Sequence, residues 1–591
     1  MAAREPIPPE VEIHDEPRRP EADPTLGVPV TAKPVGPVRH RLVTVGDSLT
    51  HGFMSGAVHR TDLSWPAITA YELGLTAREF TFPTYEWPSG PGGLPLDLER
   101  LARAFERRFG SSLDLLETFR AGPWLRGYMD DIEDHWERGP GAVPPADGRP
   151  FHNTAVYGWD VLDPLLTTEA TIMEQLALPA HDDFLAQLVE HHAARAAWPI
   201  LHRVAQQSAA PSGSAPSSSA PSSSATIGVG PGGAFPSRVG PGGVFQGGVG
   251  PGGVSPGGVG LGGVEHGSPG RTVLDSVAEL AATEGVETLV VVLGSNNALG
   301  SVLSLEPAWT PVGYEDLTLE QRRVARKGRN LWRPSAFRAD WAALEAKLRT
   351  VAAQHVVLAT VPSVTIAPIA RGVDRKVRPD SRYFAHYTRP WITDEDFDPL
   401  RDPHLTEQEV RGIDSAIDAY NETIIASVRE ARRAGLDWYL FDMGGLLDRL
   451  AARRYLTSPW ARPTWWEPYE LPAALQRLDP VPNTRFFRSG REGRTDGGLF
   501  SLDGVHPTTV GYGILAQEVV SVLRTAGVEF VDRQGNPRTG PIEIDFERLL
   551  RADTLLSSPP ASITSSLGLL GWLDERLDWV TTFLPFLRSP L

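Results

Sequence analysis

The sequence contains no cysteine, and this absence removes a set of chemistries. Disulfide bonds, thiolate nucleophiles and cysteine-based metal sites are all excluded. The chain also lacks an uninterrupted apolar run long enough to cross a bilayer, so we expect no stable membrane insertion. Residues 1–38 are rich in proline and charge, and their opening stretch has no apolar core of the kind that a signal peptide requires. These features predict a disordered lead-in over 1–38 and a cytoplasmic protein.

Lysine and arginine are also fewer than aspartate and glutamate. The 56 lysines and arginines face 73 aspartates and glutamates, which gives a formal net charge of −17. Nucleic acids and anionic membranes select proteins with an excess of positive charge, so we expect neither as a partner. At 591 residues the chain exceeds one ordinary core. One large domain with insertions and a pair of domains are both compatible with this length.

A Ser/Pro/Gly tract occupies residues 208–270 and includes the repetitive string VGPGGVFQGGVGPGGVSPGGVG. Such a composition buries too little apolar surface to order itself, so it predicts a flexible low-complexity linker. A helical pattern precedes the tract, and a helix, a turn and a strand follow it. We therefore expect the tract to be inserted in a helix connection of one domain.

Apolar, β-branched runs that predict strands alternate with helical patterns. They are RLVTVG from Arg41, HNTAVYG from His152, TLVVVLG from Thr288, HVVLATV from His355 and DWYLFDM from Asp437. Alternation of this kind predicts an α/β domain with a central parallel sheet of about five strands, here over residues 39–530. Two intervening segments, 54–150 and 444–502, exceed a crossover connection and predict covers. Residues 531–591 form a C-terminal extension, and its final part predicts an amphipathic helix. Packing on the domain is favoured over docking on a membrane, because the polar face of this helix is acidic.

Chemically useful residues stand where these elements end. Ser48 follows the first strand, Gly158 the second and Asn296 the third, while Asp503 precedes His506 by three residues at a helix start. The carboxyl ends of parallel strands meet at one edge of a sheet. There His506 can accept the proton of Ser48, and Asp503 can hold the imidazole in position. The backbone N–H groups of Ser48 and Gly158 and the amide of Asn296 then predict an oxyanion hole.

Each of these residues also has a plainer interpretation when it is taken alone. Ser48 or Asn296 can cap a helix, and Gly158 can form a turn. Asp503 can be a capping residue and His506 a surface residue before a proline. Their ordered occurrence at successive element ends favours catalysis over these alternatives.

The blocks Gly-Asp-Ser-Leu at 46–49, Gly158, Gly-Ser-Asn-Asn at 294–297 and Asp-Gly-Val-His at 503–506 resemble those of the SGNH hydrolase superfamily, also called GDSL esterases and lipases. The resemblance implies a flavodoxin-like three-layer α/β/α fold, a serine nucleophile, an Asp/His pair and oxyanion donors from Ser, Gly and Asn. Asn297 departs from the family's usual G-x-N-D block, and the chain is about twice the usual single-domain length. The inserted segments therefore leave the substrate class open.

Two functional hypotheses follow from these observations. The first is a serine esterase or lipase-like hydrolase that acts on a small-molecule, lipid or glycan ester, with acyl transfer to an alcohol as a variant. The second is a non-enzymatic binding or scaffold protein that retains the fold. Neither needs a cofactor, and no metal is expected. The adjacent His191 and His192 point about 100° apart on a helix, which favours a solvated face over a pair of metal ligands.

Overall fold

A computed structural model describes residues 4–31, 38–85, 87, 90–110, 115–143, 148–178, 189–209 and 270–564 of the chain. Up to Ser208 and from Arg271 onward, these segments belong to one compact unit. Most of the Ser/Pro/Gly tract, residues 210–269, lies outside the described residues. The expected amphipathic helix at the C-terminus lies outside them too, because the description ends at residue 564.

The strands of the described residues are short, and most of them have fewer than seven residues. They are β1 (His40–Gly46), β2 (Phe53–Met54), β3 (Ala57–Val58), β4 (Leu94–Pro95), β5 (Val286–Val292), β6 (Ala353–Ala359), β7 (Arg371–Lys376), β8 (Phe384–Thr388), β9 (Leu405–Thr406), β10 (Trp438–Phe441), β11 (Arg488–Gly490) and β12 (Gly493–Asp496).

The helices range from single turns to a 27-residue helix that begins at Glu407. They are α1 (Ser48–His51), α2 (Trp65–Glu72), α3 (Leu98–Phe109), α4 (Leu115–Glu133), α5 (Asp163–Leu166), α6 (Glu169–Leu176), α7 (His192–Ala209), α8 (Val273–Thr283), α9 (Asn296–Leu303), α10 (Leu319–Ala325), α11 (Pro334–Leu348), α12 (Glu407–Arg433), α13 (Met443–Leu450), α14 (Ala473–Gln476), α15 (Thr509–Thr525), α16 (Phe546–Ala552) and α17 (Thr554–Ser557). None of the described helices is long and apolar enough to cross a membrane.

The central sheet has the order β1-β5-β6-β10, and all of its strands are parallel. Its residues alternate between two apolar clusters, as the period of two in a strand requires. Val43, Leu289 and Leu358 belong to one cluster, which also contains buried side chains of α8, α11 and α12. Leu42 and Val290 belong to the other, which contains those of α2, α13 and α15. The protein is therefore of the α/β class, with helices packed on both faces of a parallel sheet.

The second expected strand, His152–Gly158, does not form a full strand. It makes one parallel bridge, between Thr44 and Asn153, and lies beside β1. Backbone hydrogen bonds from Thr44 N to His152 O (2.8 Å), from Thr154 N to Thr44 O (3.0 Å) and from Val156 N to Gly46 O (3.1 Å) fasten it there. The segment still lies at the end of the sheet, with its carboxyl end beside Gly46. The sheet itself has four strands among the described residues, where about five were expected.

The expectation of a disordered lead-in is wrong for residues 4–31. Arg4 forms an ion pair with Glu409 of α12, and Arg18 forms one with Asp442, which follows β10. Val11 is buried, and the carbonyl of Pro24 accepts a hydrogen bond of 2.9 Å from Leu440 N. The proline-rich segment therefore covers edge strand β10, whose backbone donors need partners.

The two long segments that we expected to be covers contain regular structure. Segment 54–150 carries α2, α3 and α4 and parts of a small antiparallel sheet, β2-β3-β4. Segment 444–502 carries most of α13 and the hairpin β11-β12. Another antiparallel sheet, β7-β8-β9, follows β6. Residues 531–564 of the C-terminal extension pack on the domain, because Ile542, Phe546 and Leu549 are buried in the cluster that contains α15.

Candidate active site

Ser48 lies at the carboxyl edge of the sheet, as the first residue of α1 directly after β1. Asp47 caps this helix and accepts a hydrogen bond of 3.0 Å from Leu49 N. Gly52, with a φ of 90°, ends the helix after one turn in the left-handed conformation that favours glycine. Ser48 is only 3% exposed. The sharp turn between strand and helix thus fixes the position of its side chain.

Asp503 and His506 form a buried pair in the loop before α15. Asp503 Oδ2 and His506 Nδ1 are 3.1 Å apart, and Asp503 Oδ1 accepts hydrogen bonds of 2.8 Å from the backbone N–H groups of Val505 and His506. Burial alone would raise the pKa of Asp503, but the imidazole of His506 and these donors hold it below its ordinary value. Asp503 is therefore an ionised carboxylate that fixes the orientation of His506.

Ser48 and His506 line the same cavity, which has a volume of about 100 Å³. Most of its other walls are apolar and come from the ends of β6 and β10, from α13 and from α15. These lining residues include Pro362, Val364, Met443, Leu446, Leu450, Leu499, Phe500, Val505, Ile514 and Leu515. The cavity thus places a hydroxyl and an imidazole at the boundary of a hydrophobic pocket.

No hydrogen bond joins Ser48 Oγ to His506 Nε2 in the part of the chain that the structure describes. His506 Nε2 is buried and has no hydrogen-bond partner there. The Phe53 ring packs against the imidazole at 4.6 Å between centroids and limits its rotation. Hydrogen bonds between nucleophile and base are often long without substrate and tighten in the complex. Because Nε2 has no other partner among the described residues, it is available to accept a proton.

The turn that carries Gly158 is tied to the helix of Ser48. His51 Nδ1 accepts a hydrogen bond of 3.2 Å from Tyr157 N, and Asn153 Nδ2 donates one of 2.9 Å to Thr50 O. Gly158 has a φ of 86°, which a residue with a side chain rarely adopts. The structure therefore holds Gly158 in register with α1, although Gly158 is not among the residues that line the cavity.

Asn296 is the first residue of α9, and its N-cap is Ser295. Its Nδ2 donates a hydrogen bond of 2.8 Å to the carbonyl of Trp159, directly after Gly158. A side-chain amide has two hydrogens, so a second one is left to donate. The structure brings Asn296 and the Gly158 turn together at the same sheet edge. Like Gly158, Asn296 does not line the cavity that contains Ser48 and His506.

Asp47 and Ser295 also belong to this region, although the sequence analysis assigned a role to neither of them. Ser295 lines the cavity together with Ser48 and His506. Burial raises the pKa of Asp47 to about 7, although the neighbouring His506 and the Ser295 hydroxyl lower it. Asp47 is fully buried, and its electrostatic interaction with His506 gives the imidazole a second acidic neighbour in addition to Asp503.

A turn after α1 supports the loop of Asp503 and His506. Gly56 N donates a hydrogen bond of 3.0 Å to Asp503 Oδ2, and Ser55 N donates one of 2.8 Å to Ser501 Oγ. Ser55 has a φ of 52°, a left-handed conformation that is unusual for serine. The Ser-Gly dipeptide at 55–56 is a turn signal in the sequence, but nothing in the pattern links it to a residue 447 positions away.

The interpretation of His191 and His192 as a solvated face is wrong for His192. Its side chain is buried, and its Nδ1 lies 2.7 Å from the hydroxyl of Tyr157. Burial lowers the pKa of His192 to about 3, so it is neutral. Among the described residues, no group of three histidine or carboxylate side chains is placed to hold a metal ion.

Comparisons with known proteins do not assign this chain to a family. No family model matches it. No curated protein matches it at a significant level either.

Proposed function

We propose that the protein is a serine-dependent hydrolase of carboxylic esters that acts through an acyl-enzyme intermediate. One observation carries the proposal: Ser48 and His506 line the same cavity, and His506 pairs with Asp503 at 3.1 Å while its Nε2 has no hydrogen-bond partner among the described residues. A nucleophile, a base and a group that orients the base are the components that acyl transfer requires.

In the proposed reaction, Ser48 Oγ attacks the acyl carbon and transfers its proton to His506 Nε2. The tetrahedral intermediate collapses, and the leaving alcohol takes that proton as the ester bond breaks. Water then attacks the acyl-enzyme, giving its proton to His506, and Ser48 regains a proton when the acid leaves. Asp503 stabilises the imidazolium in both halves of the reaction. An alcohol that replaces water in the second half gives acyl transfer instead of hydrolysis.

The developing oxyanion needs donors in place before the reaction begins. We assign this role to the backbone N–H groups of Ser48 and Gly158 and to the amide of Asn296. The contact between Asn296 and the carbonyl of Trp159 supports the assignment, since it holds the amide beside the Gly158 turn.

The finer fold and the family are part of the same proposal. If segment 152–156 is counted beside β1, the chain order across the sheet reads 2-1-3-4-5, which is the flavodoxin-like order. Together with helices on both sheet faces, this order supports a three-layer α/β/α sandwich and a relationship to the SGNH hydrolases. The intact Ser48, Asp503 and His506 favour an enzyme over a scaffold protein of the same fold.

The apolar walls of the cavity suit the acyl chain of the substrate, since burial of each CH₂ group contributes about 0.8 kcal/mol. The test is therefore hydrolysis of p-nitrophenyl esters of increasing acyl length, together with labelling by a serine-reactive phosphonate. We expect turnover and labelling in the wild type, and neither in Ser48→Ala.

Two further variants make the test specific. Ser521→Ala changes an exposed serine of α15 and controls for the substitution itself. Ser295→Ala asks whether Ser295, another of the cavity serines, is the nucleophile, and we expect labelling to persist in it. Turnover that survives in Ser48→Ala, or a wild type that neither turns over nor is labelled, would contradict the proposal and favour a binding protein.

A further inference from the structure

A second cavity, of about 170 Å³, lies beside the apolar one and has a different character. Ala367 and Thr484 line both cavities, so the two share a wall. Five arginines and one carboxylate, Asp496, line the second cavity, which we call the arginine pocket. The five are Arg371, Arg453, Arg454, Arg485 and Arg488. This concentration of positive charge occurs in a chain whose net charge is −17.

Carboxylates form ion pairs with only three of these five arginines among the described residues. Arg454 is 2.8 Å from Asp414, Arg485 is 3.4 Å from Asp496, and Arg371 pairs with Asp394. Neither Arg453 nor Arg488 has a carboxylate within ion-pair distance among the described residues. Arg453 instead donates to the carbonyl of Gly372 at 2.6 Å.

Unused donors are present on the most buried of the five arginines. The side chain of Arg454 is 4% exposed, and its Nε and Nη1 have no hydrogen-bond partner in the described part of the chain. The Nε atoms of Arg371 and Arg453 are buried and unpartnered as well. Buried guanidinium donors without partners are costly unless an anion binds to them.

The charges in this region also act on one another. Burial and, next in size, the charge of the neighbouring Arg371 lower the pKa of Arg453 to about 10. Lys376, whose Nζ donates to the carbonyl of Arg454 at 2.9 Å, has a pKa lowered to about 8 by burial and then by Arg454 and Arg453. A bound anion would relieve this repulsion between cations.

We propose that the arginine pocket binds a small oxyanion of the phosphate class. Guanidinium groups bind phosphate oxygens through paired, charge-assisted hydrogen bonds, and several arginines together suit a group with several charged oxygens. The phosphate group can be free in solution, or it can belong to an ester whose acyl chain enters the adjacent apolar cavity.

The test of the pocket is titration of the intact protein with inorganic phosphate by isothermal calorimetry, which requires no turnover. We expect saturable binding at one site, weakened about tenfold or more in Arg453→Gln and in Arg488→Gln. Arg433→Gln removes the same charge from an exposed position at the end of α12 and should bind as the wild type does. Circular dichroism melting verifies that each variant is folded.

The two sources of phosphate are separated by kinetics with a monoacyl ester of glycerol phosphate and its uncharged monoacylglycerol counterpart. Inhibition by inorganic phosphate of the charged ester alone assigns the pocket to the substrate. An equal effect on both esters assigns it to a free anion. Either result supports the pocket, whereas absence of phosphate binding, or equal binding by the wild type, Arg453→Gln and Arg488→Gln, overturns it. If neither ester is hydrolysed but phosphate binds, the proposed function fails and the pocket stands.

Discussion

The side-chain amide of Asn296 has two hydrogens, and each of them has a separate role. One hydrogen binds the carbonyl of Trp159, and the other is the proposed oxyanion donor. We expect Asn296→Ala to lower kcat by roughly 10²–10³ with little change in KM, because such a donor stabilises the transition state more than the bound ester. Steady-state kinetics on a p-nitrophenyl ester measures both parameters.

The neighbouring Asn297 supplies the control for this prediction. Its Oδ1 accepts a hydrogen bond of 3.3 Å from Val161 N, so its replacement by alanine disturbs the same loop without removing the proposed donor. Equal losses of kcat in Asn296→Ala and Asn297→Ala would show that loop structure accounts for the effect. An increase in KM alone would assign Asn296 to substrate binding.

For individual residues, the sequence predicted which of them lie near one another, but it did not predict the contacts that support them. Ser48 and His506 share a cavity, and Asp503 contacts His506, because each lies at the end of an element whose pattern is strong. The support from Ser55 and Gly56 was not predictable, since it depends on a contact between distant loops. The buried state of Asp47 likewise depends on tertiary packing.

The turn from β1 into α1 depends on the absence of a side chain at Gly46. A Cβ atom there would lie 2.8 Å from the backbone oxygen of Val292 in β5 and 2.6 Å from the Cβ of Thr50. The strand pairing holds the backbone oxygen in place, so neither neighbour can move away easily. We expect Gly46→Ala to lower the free energy of unfolding by about 1–3 kcal/mol, as overpacking typically does. Urea denaturation measures the difference.

Gly540→Ala is the matched control for this substitution. Gly540 is exposed, and an added Cβ would meet no heavy atom within 4 Å. The control should leave stability within about 0.5 kcal/mol of the wild type. If Gly46→Ala is as stable as Gly540→Ala, the turn does not require glycine in the way the geometry indicates.

The elements that the sequence predicted best are the buried strands of the sheet. Four of the five apolar runs form these strands, which are β1, β5, β6 and β10. The remaining run, at His152–Gly158, has backbone hydrogen bonds to β1. The side chains of its Asn153 and Thr154 also form hydrogen bonds with Thr44. Periodicity describes apolar faces and does not report such local hydrogen bonding, so it overestimated the regularity of this segment.

Across the whole molecule, composition was a poor guide to order at the N-terminus. Proline and charge usually indicate a disordered segment because they bury little apolar surface. Residues 4–31 are ordered by partners that composition cannot reveal, such as Glu409, Asp442 and the edge of β10. These contacts join positions about 400 residues apart along the chain, and the fold must form before they exist.

The flanks of the Ser/Pro/Gly tract bear on the expectation that the tract is an insertion in one domain. Its interior lies outside the described residues, but its two flanks are adjacent: Ser276 Oγ of α8 donates a hydrogen bond of 2.7 Å to Gln207 Oε1 of α7. Both helices belong to the same compact unit. A short connection can therefore join them without strain.

Replacement of residues 210–269 by about ten glycines and serines tests the prediction that the tract is an insertion in one domain. Loop-closure entropy changes with the logarithm of loop length, so the free energy of unfolding should change by no more than about 1–2 kcal/mol, in the stabilising direction. Esterase turnover should persist, since Ser48, Asp503 and His506 lie outside the tract and outside its flanking helices α7 and α8. Urea denaturation and p-nitrophenyl ester kinetics measure both quantities. Limited proteolysis is a second test, and cleavage within the tract should leave the fragments associated. Fragments that separate as independently folded halves would refute the single-domain arrangement.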